Sequence, residues 1–579
     1  MISSGNPVLL LFVAGLVLGQ DFSIPPDWRK PNSSRLRPER LSIAQAAIGS
    51  LVSAINTTDG TTNPTMDVWT YANIPAAIAQ HDYISGTQTN HELVSNIIKG
   101  FRNTHDPAYF NSSLPLQEVT AESLAWGLAA IYGYRAYNDG DMLNAAIDVL
   151  NVASVYTVSS TDGANGTQHT RSVSFPVSCA ANGGNVSSAG AVFWKAVDPT
   201  DLGCNGETVG AYVALAMHLW ELTGQTRYLD VAHPSANFIY THMYSQSSHI
   251  VTDTYNIGGC SGNSLAWTYN QGFFLEGLSI LSLSPVSDAS TWSNLLQTLV
   301  VSTVKTAPWI TSNSQYAGVL AESDSNDPTV FSEAWVFRVA FTRGLYEVWS
   351  RANSSSPMAN LIQAFMMVQY NALLDLASQN EDLYSPIWTG PSLQTRVPWG
   401  QLSALDVLNA AINMSSASTS TSSSIGTTTS PTATSTPSTT TSAPTPKTLS
   451  EGVIAGIAIG VAAVFVALVA GCVVWLMRRR RRGEPEGAIA PTSRDDDVAP
   501  FPPGLPVIQQ HEDMLSPAYA GKNRSGYGYG SSSSGATAST AQVSTSAEEE
   551  SRLAELSRLI QQVRAELHSP PPSYRAEPE

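Results

Sequence analysis

The sequence has few cysteines and no arrangement of side chains that binds metal. Only 4 of its 579 residues are cysteines, and no two of them form a C-x-x-C pair. There is no H-E-x-x-H sequence and no clustered acidic loop, and His218, His242 and His249 show no ligand spacing. A metal site therefore has no support, and no cofactor is implied.

Positive charge is also scarce. Lysine and arginine together number 29, against 46 aspartate and glutamate residues, which gives a net charge of −17 at pH 7. The region before residue 413 has no basic surface interleaved with aromatic residues. We therefore expect no nucleic-acid partner.

Long apolar runs occur near both ends of the chain. Val8–Leu18 is too short to span a bilayer and is followed by small residues, so residues 1–20 are interpreted as a signal peptide, with a buried N-terminal helix as the alternative. Val453–Met477 has no charged residue, is long enough to cross a membrane, and ends at the arginines Arg478–Arg482. Because cytoplasmic flanks carry positive charge, we expect a single-pass type I protein of the plasma membrane, with residues 21–412 outside.

An extracellular location permits disulfides and glycosylation. Three cysteines, Cys179, Cys204 and Cys260, precede the predicted span, so one is left unpaired or linked elsewhere. A Cys179–Cys204 bridge closes the shortest loop, although the sequence does not determine the connectivity. N-x-S/T sequons also precede the span and predict a glycoprotein; they lie at Asn32, Asn56, Asn111, Asn165, Asn185, Asn353 and Asn413.

Between Leu41 and Ile412 the pattern is helical and repetitive. Two units, beginning with the helices Ser123–Tyr137 and Val209–Leu222, each continue through a glycine-containing turn into a second helix, which predicts helical hairpins. Further helices are predicted at Ile43–Ile55, Asn90–Phe101, Phe273–Leu283, Trp292–Thr306, Phe331–Arg351, Met358–Leu376 and Gln401–Ile412. The expected fold is all-α, a closed ring of hairpins, with an open superhelical array as the rival.

The rest of the chain is of low complexity. Residues 413–450 are rich in Ser, Thr and Pro, as in an O-glycosylated stalk. Residues 478–579 form a polar tail that we expect to be largely disordered, apart from a short amphipathic helix over 548–568. Pro571–Tyr574 matches the P-P-x-Y ligands of WW domains, although chance occurrence in a proline-rich tail is the alternative.

Several short motifs follow one another within the helical region. They are the hairpin Val209–Ala232, Val251–Asp253, Cys260, the run Thr268–Gly272 (T-Y-N-Q-G), Gly318–Leu320, Arg343 and Trp388. In this order they resemble glycoside hydrolase family 76, the fungal and bacterial endo-α-1,6-mannanases, over about Trp69 to Ile412. The resemblance implies an (α/α)6 barrel that acts on α-linked mannan or mannoprotein glycans of the fungal cell wall, by retaining hydrolysis or by transglycosylation.

The resemblance also identifies candidate catalytic residues. The family uses two consecutive aspartates before a tryptophan-containing helix, as nucleophile and as acid/base, and a retaining mechanism needs these carboxyl groups about 5–5.5 Å apart. Counting back from Trp126, the matching positions are Ala121 and Glu122. The methyl group of Ala121 cannot attack a sugar, which leaves Glu122 as the remaining acid/base.

Glu118 is the second catalytic candidate. On one continuous helix, residues four apart share a face, with Cβ atoms about 5–6 Å apart, so Glu118 and Glu122 could divide the acid and base roles. The alternative is that both only decorate the first turn, where acidic side chains favour the helix dipole.

Sugar binding calls for aromatic faces and for amide or acid groups. The candidates are Trp69, Trp126, Trp194, Trp267 and Tyr269 for stacking, and Asn270, Gln271 and Asp253 for hydroxyl groups. For each aromatic residue, burial in the core is the alternative. The acids Asp67, Glu207 and Glu276 could also line a cleft. Three functions stay open: a mannan-active enzyme, an inactive mannan-binding wall sensor that signals through its tail, and a tether without a carbohydrate role.

Overall fold

The computed structural model describes residues 20–414, except 105–106, 117–118, 182–183, 323–324, 326 and 381. The predicted signal peptide up to residue 19, the stalk from residue 415, the apolar run Val453–Met477, the tail and Glu118 lie outside the described residues. Among the described residues, no helix combines the length and apolarity needed to cross a bilayer.

The described residues form thirteen α-helices. They are α1 Arg37–Val52, α2 Val68–Ser85, α3 His91–Thr104, α4 Thr120–Tyr137, α5 Gly140–Ser154, α6 Ser160–Asn165, α7 Gly206–Thr223, α8 Thr226–Phe238, α9 Thr268–Leu281, α10 Ala289–Lys305, α11 Ala334–Arg351, α12 Pro357–Ala372 and α13 Pro398–Asn413.

Six helices form a closed inner ring. In the order α2, α4, α7, α9, α11 and α13, each contacts the next, and α13 contacts α2 again. Outside the ring lie α1, α3, α5, α8, α10 and α12. The ring therefore excludes the open superhelical array. Because inner and outer helices alternate as hairpins, the six inner helices all run in the same direction.

The inner and outer helices differ in how much of their surface is buried. Every residue of α9 is buried, as expected for a helix surrounded by others. The outer helix α3 buries only Val94, Ile97, Ile98 and Phe101, the spacing of a single apolar stripe.

Most of the predicted helices are confirmed to within a few residues, but α2 and α6 were not predicted and one predicted helix is only partly α-helical. The inner helix α2 was not predicted, because Pro75 removes a backbone donor in its middle and residues such as Trp69 and Tyr71 have modest helix propensity. It forms because neighbours bury it along nearly its whole length. The predicted helix Met358–Leu376 is not α-helical throughout, since α12 passes into a π-helical turn at Leu373–Ala377.

The two faces of the ring carry very different connections. Short connections join inner helices to the next outer helices; they are 86–90, 138–139, 224–225, 282–288 and 352–356. Long segments lead into the N-terminal ends of the inner helices; they are 53–67, 105–119, 155–205, 244–267, 306–333 and 378–397. We call the face with these N-terminal ends the site face, because long loops inside a compact domain usually build a functional site.

Short antiparallel strands brace the long segments. They are β1 Cys179–Ala181, β2 Gly184–Val186, β3 Gly203–Asn205, β4 Thr254–Asn256, β5 Ser261–Gly262, β6 Ser378–Gln379 and β7 Leu383–Tyr384. Strand β1 pairs with β2, and β6 pairs with β7. Strand β4 lies between β3 and β5, which joins the segment before α7 to the segment before α9.

Candidate functional site

An aromatic cluster lies at the site face and consists of Trp69, Trp267, Tyr269 and Phe337. The ring centroid of Phe337 lies 4.2 Å from that of Tyr269, 5.6 Å from that of Trp267 and 6.0 Å from that of Trp69. Trp267 and Phe337 are partly exposed. The cluster brings together three of the predicted stacking residues. Phe337 was missed by sequence reasoning, since it is one apolar residue among many in α11.

Asp253 joins two inner helices at this face. Its Oδ1 accepts hydrogen bonds from the Tyr269 hydroxyl at 2.8 Å and from the Asn270 amide at 3.1 Å, both at the start of α9. Its Oδ2 accepts from the Thr254 hydroxyl at 2.8 Å, and its backbone carbonyl accepts from the Gly206 N–H at the start of α7. Asp253 therefore joins α9 through its carboxylate and α7 through its backbone carbonyl.

Three of the predicted sugar-binding residues make internal contacts. The fully buried Gln271 donates to the carbonyl of Val251 at 2.7 Å and accepts from its N–H at 2.8 Å. Asn270 is also fully buried and donates to Asp253. Trp126 is fully buried, and its ring stacks on Phe101 at a centroid distance of 3.9 Å. These internal contacts favour a structural role for Gln271, Asn270 and Trp126, and their role in sugar binding stays a prediction.

Glu122 lies in the first turn of α4 at the same face. It is 6% exposed, and its Oε2 accepts a hydrogen bond of 2.5 Å from the Tyr109 hydroxyl. Ala121 beside it is 3% exposed. The backbone N–H of Thr120 donates to the carbonyl of Trp194 at 2.8 Å, which joins the backbone of this half-buried residue to the start of α4. Tyr109, from the 3-10 turn Pro107–Phe110, was also missed, because nothing in the sequence relates it to α4.

The start of α4 bears on the helical argument that pairs Glu118 with Glu122. Helix α4 begins at Thr120, and its N-cap Val119 has extended backbone angles, φ −97° and ψ 145°. The shared-face argument requires both residues on one continuous helix. Position 118 precedes the cap, so that argument does not apply, and Glu118 itself is outside the described residues.

Acidic residues occur at the starts of several inner helices. Asp67 is the N-cap residue of α2, and Glu207 lies in the first turn of α7, where the Asn205 amide approaches its Oε2 to 3.5 Å. Glu322, which was not predicted, accepts hydrogen bonds from the backbone N–H of Thr268 at 2.7 Å and from its hydroxyl. Such positions favour carboxylates because helix N-termini carry partial positive charge.

Glu276 belongs to a different cluster, further along the inner helices. Its Oε1 accepts from the Tyr132 hydroxyl at 2.7 Å and lies 2.8 Å from Nε2 of His218, and all three side chains are buried. Burial lowers the pKa of His218, but the carboxylates of Glu221 and Glu276 outweigh it and raise that pKa above its ordinary value. The prediction that Glu276 lines a cleft is therefore wrong.

Buried ion pairs accompany this cluster. Arg343 donates to Asp406 at 2.8 Å, and Arg135 donates to Glu347 at 2.8 Å while Arg351 holds the second oxygen of Glu347. Burial would raise the pKa of Glu347, but the two guanidinium groups lower it to about 2. In these pairs each buried carboxylate is neutralised by a guanidinium group, which offsets the cost of burying charge inside the ring of helices.

The disulfide differs from the shortest-loop pairing. Cys179 bonds to Cys260, at a Cα–Cα distance of 5.3 Å, and Cys204 is a buried free thiol in β3. The bridge joins the segment before α7 to the segment before α9. The shorter Cys179–Cys204 loop was the wrong choice, because β3–β4 pairing sets Cys204 opposite Tyr255 instead.

A closed ring of six inner and six outer helices, with long segments on one face, is an (α/α)6 barrel. Residues 178–423 match the family model of Glycosyl hydrolase family 76. This part of the chain is therefore similar to glycosyl hydrolase family 76, as the order of motifs predicts. No curated protein sequence matches the chain significantly.

Solved structures share the fold. The α-1,6-mannanase of Salegentibacter sp. HEL1_6 superposes with a TM-score of 0.51 at 14% identity, over 65% of this chain and 99% of that one. An inactive variant of that enzyme, with two consecutive aspartates replaced by asparagine and α-1,6-mannotriose bound, has a TM-score of 0.52, 14% identity and the same coverage. Dfg5 of Chaetomium thermophilum, solved with glucosamine, has a TM-score of 0.50 at 13% identity over 68% of this chain and 92% of that one.

Proposed function

We propose that the site face binds α-1,6-linked mannan. The similarity to family 76 and the shared fold support this assignment, since a relative of the same fold has been crystallised with α-1,6-mannotriose. The aromatic cluster supplies ring faces of the kind that stack on the C–H-rich sides of pyranoses. The backbone of Trp194, a half-buried residue, is hydrogen-bonded to the start of α4, the helix that carries Glu122.

Binding without turnover is the function that the geometry supports best. The observation that carries it is the pair at the start of α4, where a methyl group, Ala121, stands beside the carboxyl group of Glu122. The Salegentibacter variant with two consecutive aspartates replaced is inactive, and counting back from Trp126 assigns such a pair to Ala121 and Glu122 in this chain. A retaining glycosidase needs a nucleophilic carboxylate as well as an acid/base, so losing the nucleophile removes the covalent route.

The test uses the full-length chain purified in detergent from a eukaryotic secretory host. Calorimetric titration with α-1,6-mannotetraose should give saturable binding, and mass spectrometry should detect neither shortened nor elongated products after prolonged incubation. An unrelated α-1,4-glucan of equal length is the control ligand. If the titration with mannotetraose gives no more heat than this control, the proposal is wrong.

Hydrolysis or transglycosylation is the second candidate, and the retained Glu122 favours it. The Tyr109 hydroxyl fixes one oxygen of this carboxyl group at the site face, as would suit an acid/base residue. Product formation from mannan by the wild-type chain, lost in Glu122→Gln, would select this candidate. Turnover that persists unchanged in Glu122→Gln would remove Glu122 from the mechanism.

We also propose that the barrel is displayed outside the plasma membrane, on the stalk and the apolar run Val453–Met477, and that the tail contacts a WW-domain protein through Pro571–Tyr574. The apolar run with its arginine flank supports the first part, and the P-P-x-Y sequence supports the second. Protease added to intact cells should remove the barrel and spare the tail. Tyr574→Ala should reduce recovery of a WW domain in a pull-down, and equal recovery would reject the contact.

A further inference from the structure

The sequons are unevenly distributed over the site face. Four of them lie in its long segments: Asn56 in 53–67, Asn111 in 105–119, and Asn165 and Asn185 in 155–205. All four asparagines are exposed. These segments lead into α2, α4 and α7, which are consecutive in the inner ring. The sequons therefore occupy one continuous half of the site face.

The other half has no sequon. The segments 244–267, 306–333 and 378–397, which lead into α9, α11 and α13, contain no N-x-S/T sequence. The three remaining sequons before the apolar run Val453–Met477 lie away from these segments. Asn353 lies between α11 and α12 on the opposite face, Asn413 ends α13, and Asn32 precedes α1.

The aromatic cluster lies mainly on the sequon-free half. Trp267 and Tyr269 belong to the start of α9, and Phe337 to the first turn of α11. Trp69, at the start of α2, completes the cluster where the two halves meet, because α2 contacts α13. Trp267 and Phe337, the partly exposed rings that could stack on sugar, thus lie on the half of the site face that has no sequon.

We infer that a mannan chain reaches the site face over this bare rim, formed by segments 244–267, 306–333 and 378–397, and that N-glycans shield the other half. An N-glycan is bulky and strongly hydrated, so it obstructs the approach of a polymer over the segment that carries it. The chain would pass the aromatic cluster before it reaches Glu122 and Trp194 on the glycosylated half. The inference rests on the proposed function and on passage through the secretory pathway.

New sequons on the bare rim provide the test. Leu265→Thr converts Asn263-Ser264-Leu265 into a sequon at an exposed asparagine, and Leu265 is itself 44% exposed. Leu265→Val is the matched control, because valine has the shape of threonine but creates no sequon. Gln315→Thr, with Gln315→Val as its control, does the same at the exposed Asn313 on the next segment.

Binding of α-1,6-mannan is measured on the full-length chain, using the fraction whose mass shows the added glycan. We expect each added glycan to weaken binding at least tenfold, and trimming by an endoglycosidase to restore it. Both valine controls and Ser113→Ala, which removes the sequon at Asn111, should bind as the wild type does. Mass spectrometry should find Asn56, Asn111, Asn165 and Asn185 occupied in the wild type.

Failure of this inference is distinct from failure of the proposed function. A wild-type chain that does not bind mannan rejects the function itself. A wild-type chain that binds mannan, together with glycosylated Leu265→Thr and Gln315→Thr chains that bind equally well, overturns the entry route alone. Unoccupied wild-type sequons on the site face would overturn it too.

Discussion

The hydroxyl of Tyr109 donates a hydrogen bond of 2.5 Å to Oε2 of Glu122, which ties a 3-10 turn to the first turn of an inner helix. Both side chains are buried, at 1% and 6% exposure. The contact holds a carboxyl group in place next to Ala121. It therefore sets the geometry of the one acidic side chain that the family resemblance assigns to chemistry.

If position 121 corresponds to the family's nucleophile, as proposed, placing a carboxylate there should create turnover. Ala121→Asp supplies a carboxyl group beside Glu122, as in the relative whose paired aspartates are essential. We expect release of short α-1,6-manno-oligosaccharides from mannan at a rate at least a hundredfold above the wild type, measured by chromatography of labelled products. Ala121→Asn, which has the same shape without the charge, is the control. Equal rates in both variants would contradict the assignment of position 121.

Removing the Tyr109 hydroxyl should leave the Glu122 side chain less firmly positioned, without changing the arrangement of the inner helices. Tyr109→Phe deletes one hydrogen bond to a buried carboxyl group, which costs about 1–3 kcal/mol in the free energy of unfolding. In the Ala121→Asp background the same change should lower turnover by about tenfold. Urea denaturation and product release measure the two effects. A stability loss with unchanged turnover would restrict Tyr109 to a structural role.

The Arg343–Asp406 pair should be sensitive to the loss of either partner. Its side chains are 2% and 0% exposed, so Arg343→Met leaves a buried carboxylate and should destabilise the fold by about 3–5 kcal/mol. The double variant Arg343→Met with Asp406→Leu should recover most of this loss, since no unpaired charge remains. Urea midpoints of the single and double variants test the coupling. Additive losses would show that the two charges do not stabilise each other.

Stability should fall as the pH rises through the pKa of His218. That pKa lies above its ordinary value of 6.5, so the protonated imidazole stabilises the fold below about pH 6.5, and the contribution is lost as pH passes the raised value. Glu347 has the opposite pH dependence, because its pKa is lowered to about 2. The stability that its ionised carboxylate contributes is complete above about pH 4.5 and is lost in acid. The melting temperature should therefore decline between pH 6.5 and alkaline pH, and His218→Gln should flatten that decline.

A surface histidine provides the control for this pH dependence. His169 is exposed, and His169→Gln should leave the slope of melting temperature against pH unchanged. An identical slope in His218→Gln and the wild type would show that another group is responsible.

The Cys179–Cys260 bridge should contribute to stability, whereas the third cysteine of the barrel should not cross-link. Replacing both bridged cysteines by serine should cost about 2–4 kcal/mol, because the open chain gains conformational entropy when unfolded. Mass spectrometry of unreduced peptides should recover Cys179 joined to Cys260 and Cys204 as a free thiol. A Cys179–Cys204 peptide would contradict the structure.

The sequence by itself determined the helical class, the hairpins and the family resemblance. Helix ends could be located because local chemistry marks them: Asn138 and Gly224 lie in the predicted turns and adopt left-handed backbone angles, φ 55° and 67°. These two residue types tolerate that conformation, so their signal needs no knowledge of the rest of the fold. The order of motifs was likewise readable without coordinates.

Only the tertiary structure decided which side chains face the site. Apolar periodicity marks the buried side of an outer helix, but the inner helices are buried all round, so their patterns do not separate Trp126 in the core from Trp267 at the site face. Glu122 and Asp253 are hydrogen-bonded to residues 13 and 16 positions away, and Cys260 is bonded to Cys179, 81 positions away, so the folding of the long segments brings these partners together. Such contacts depend on how long segments pack over a common scaffold, which no local residue pattern records.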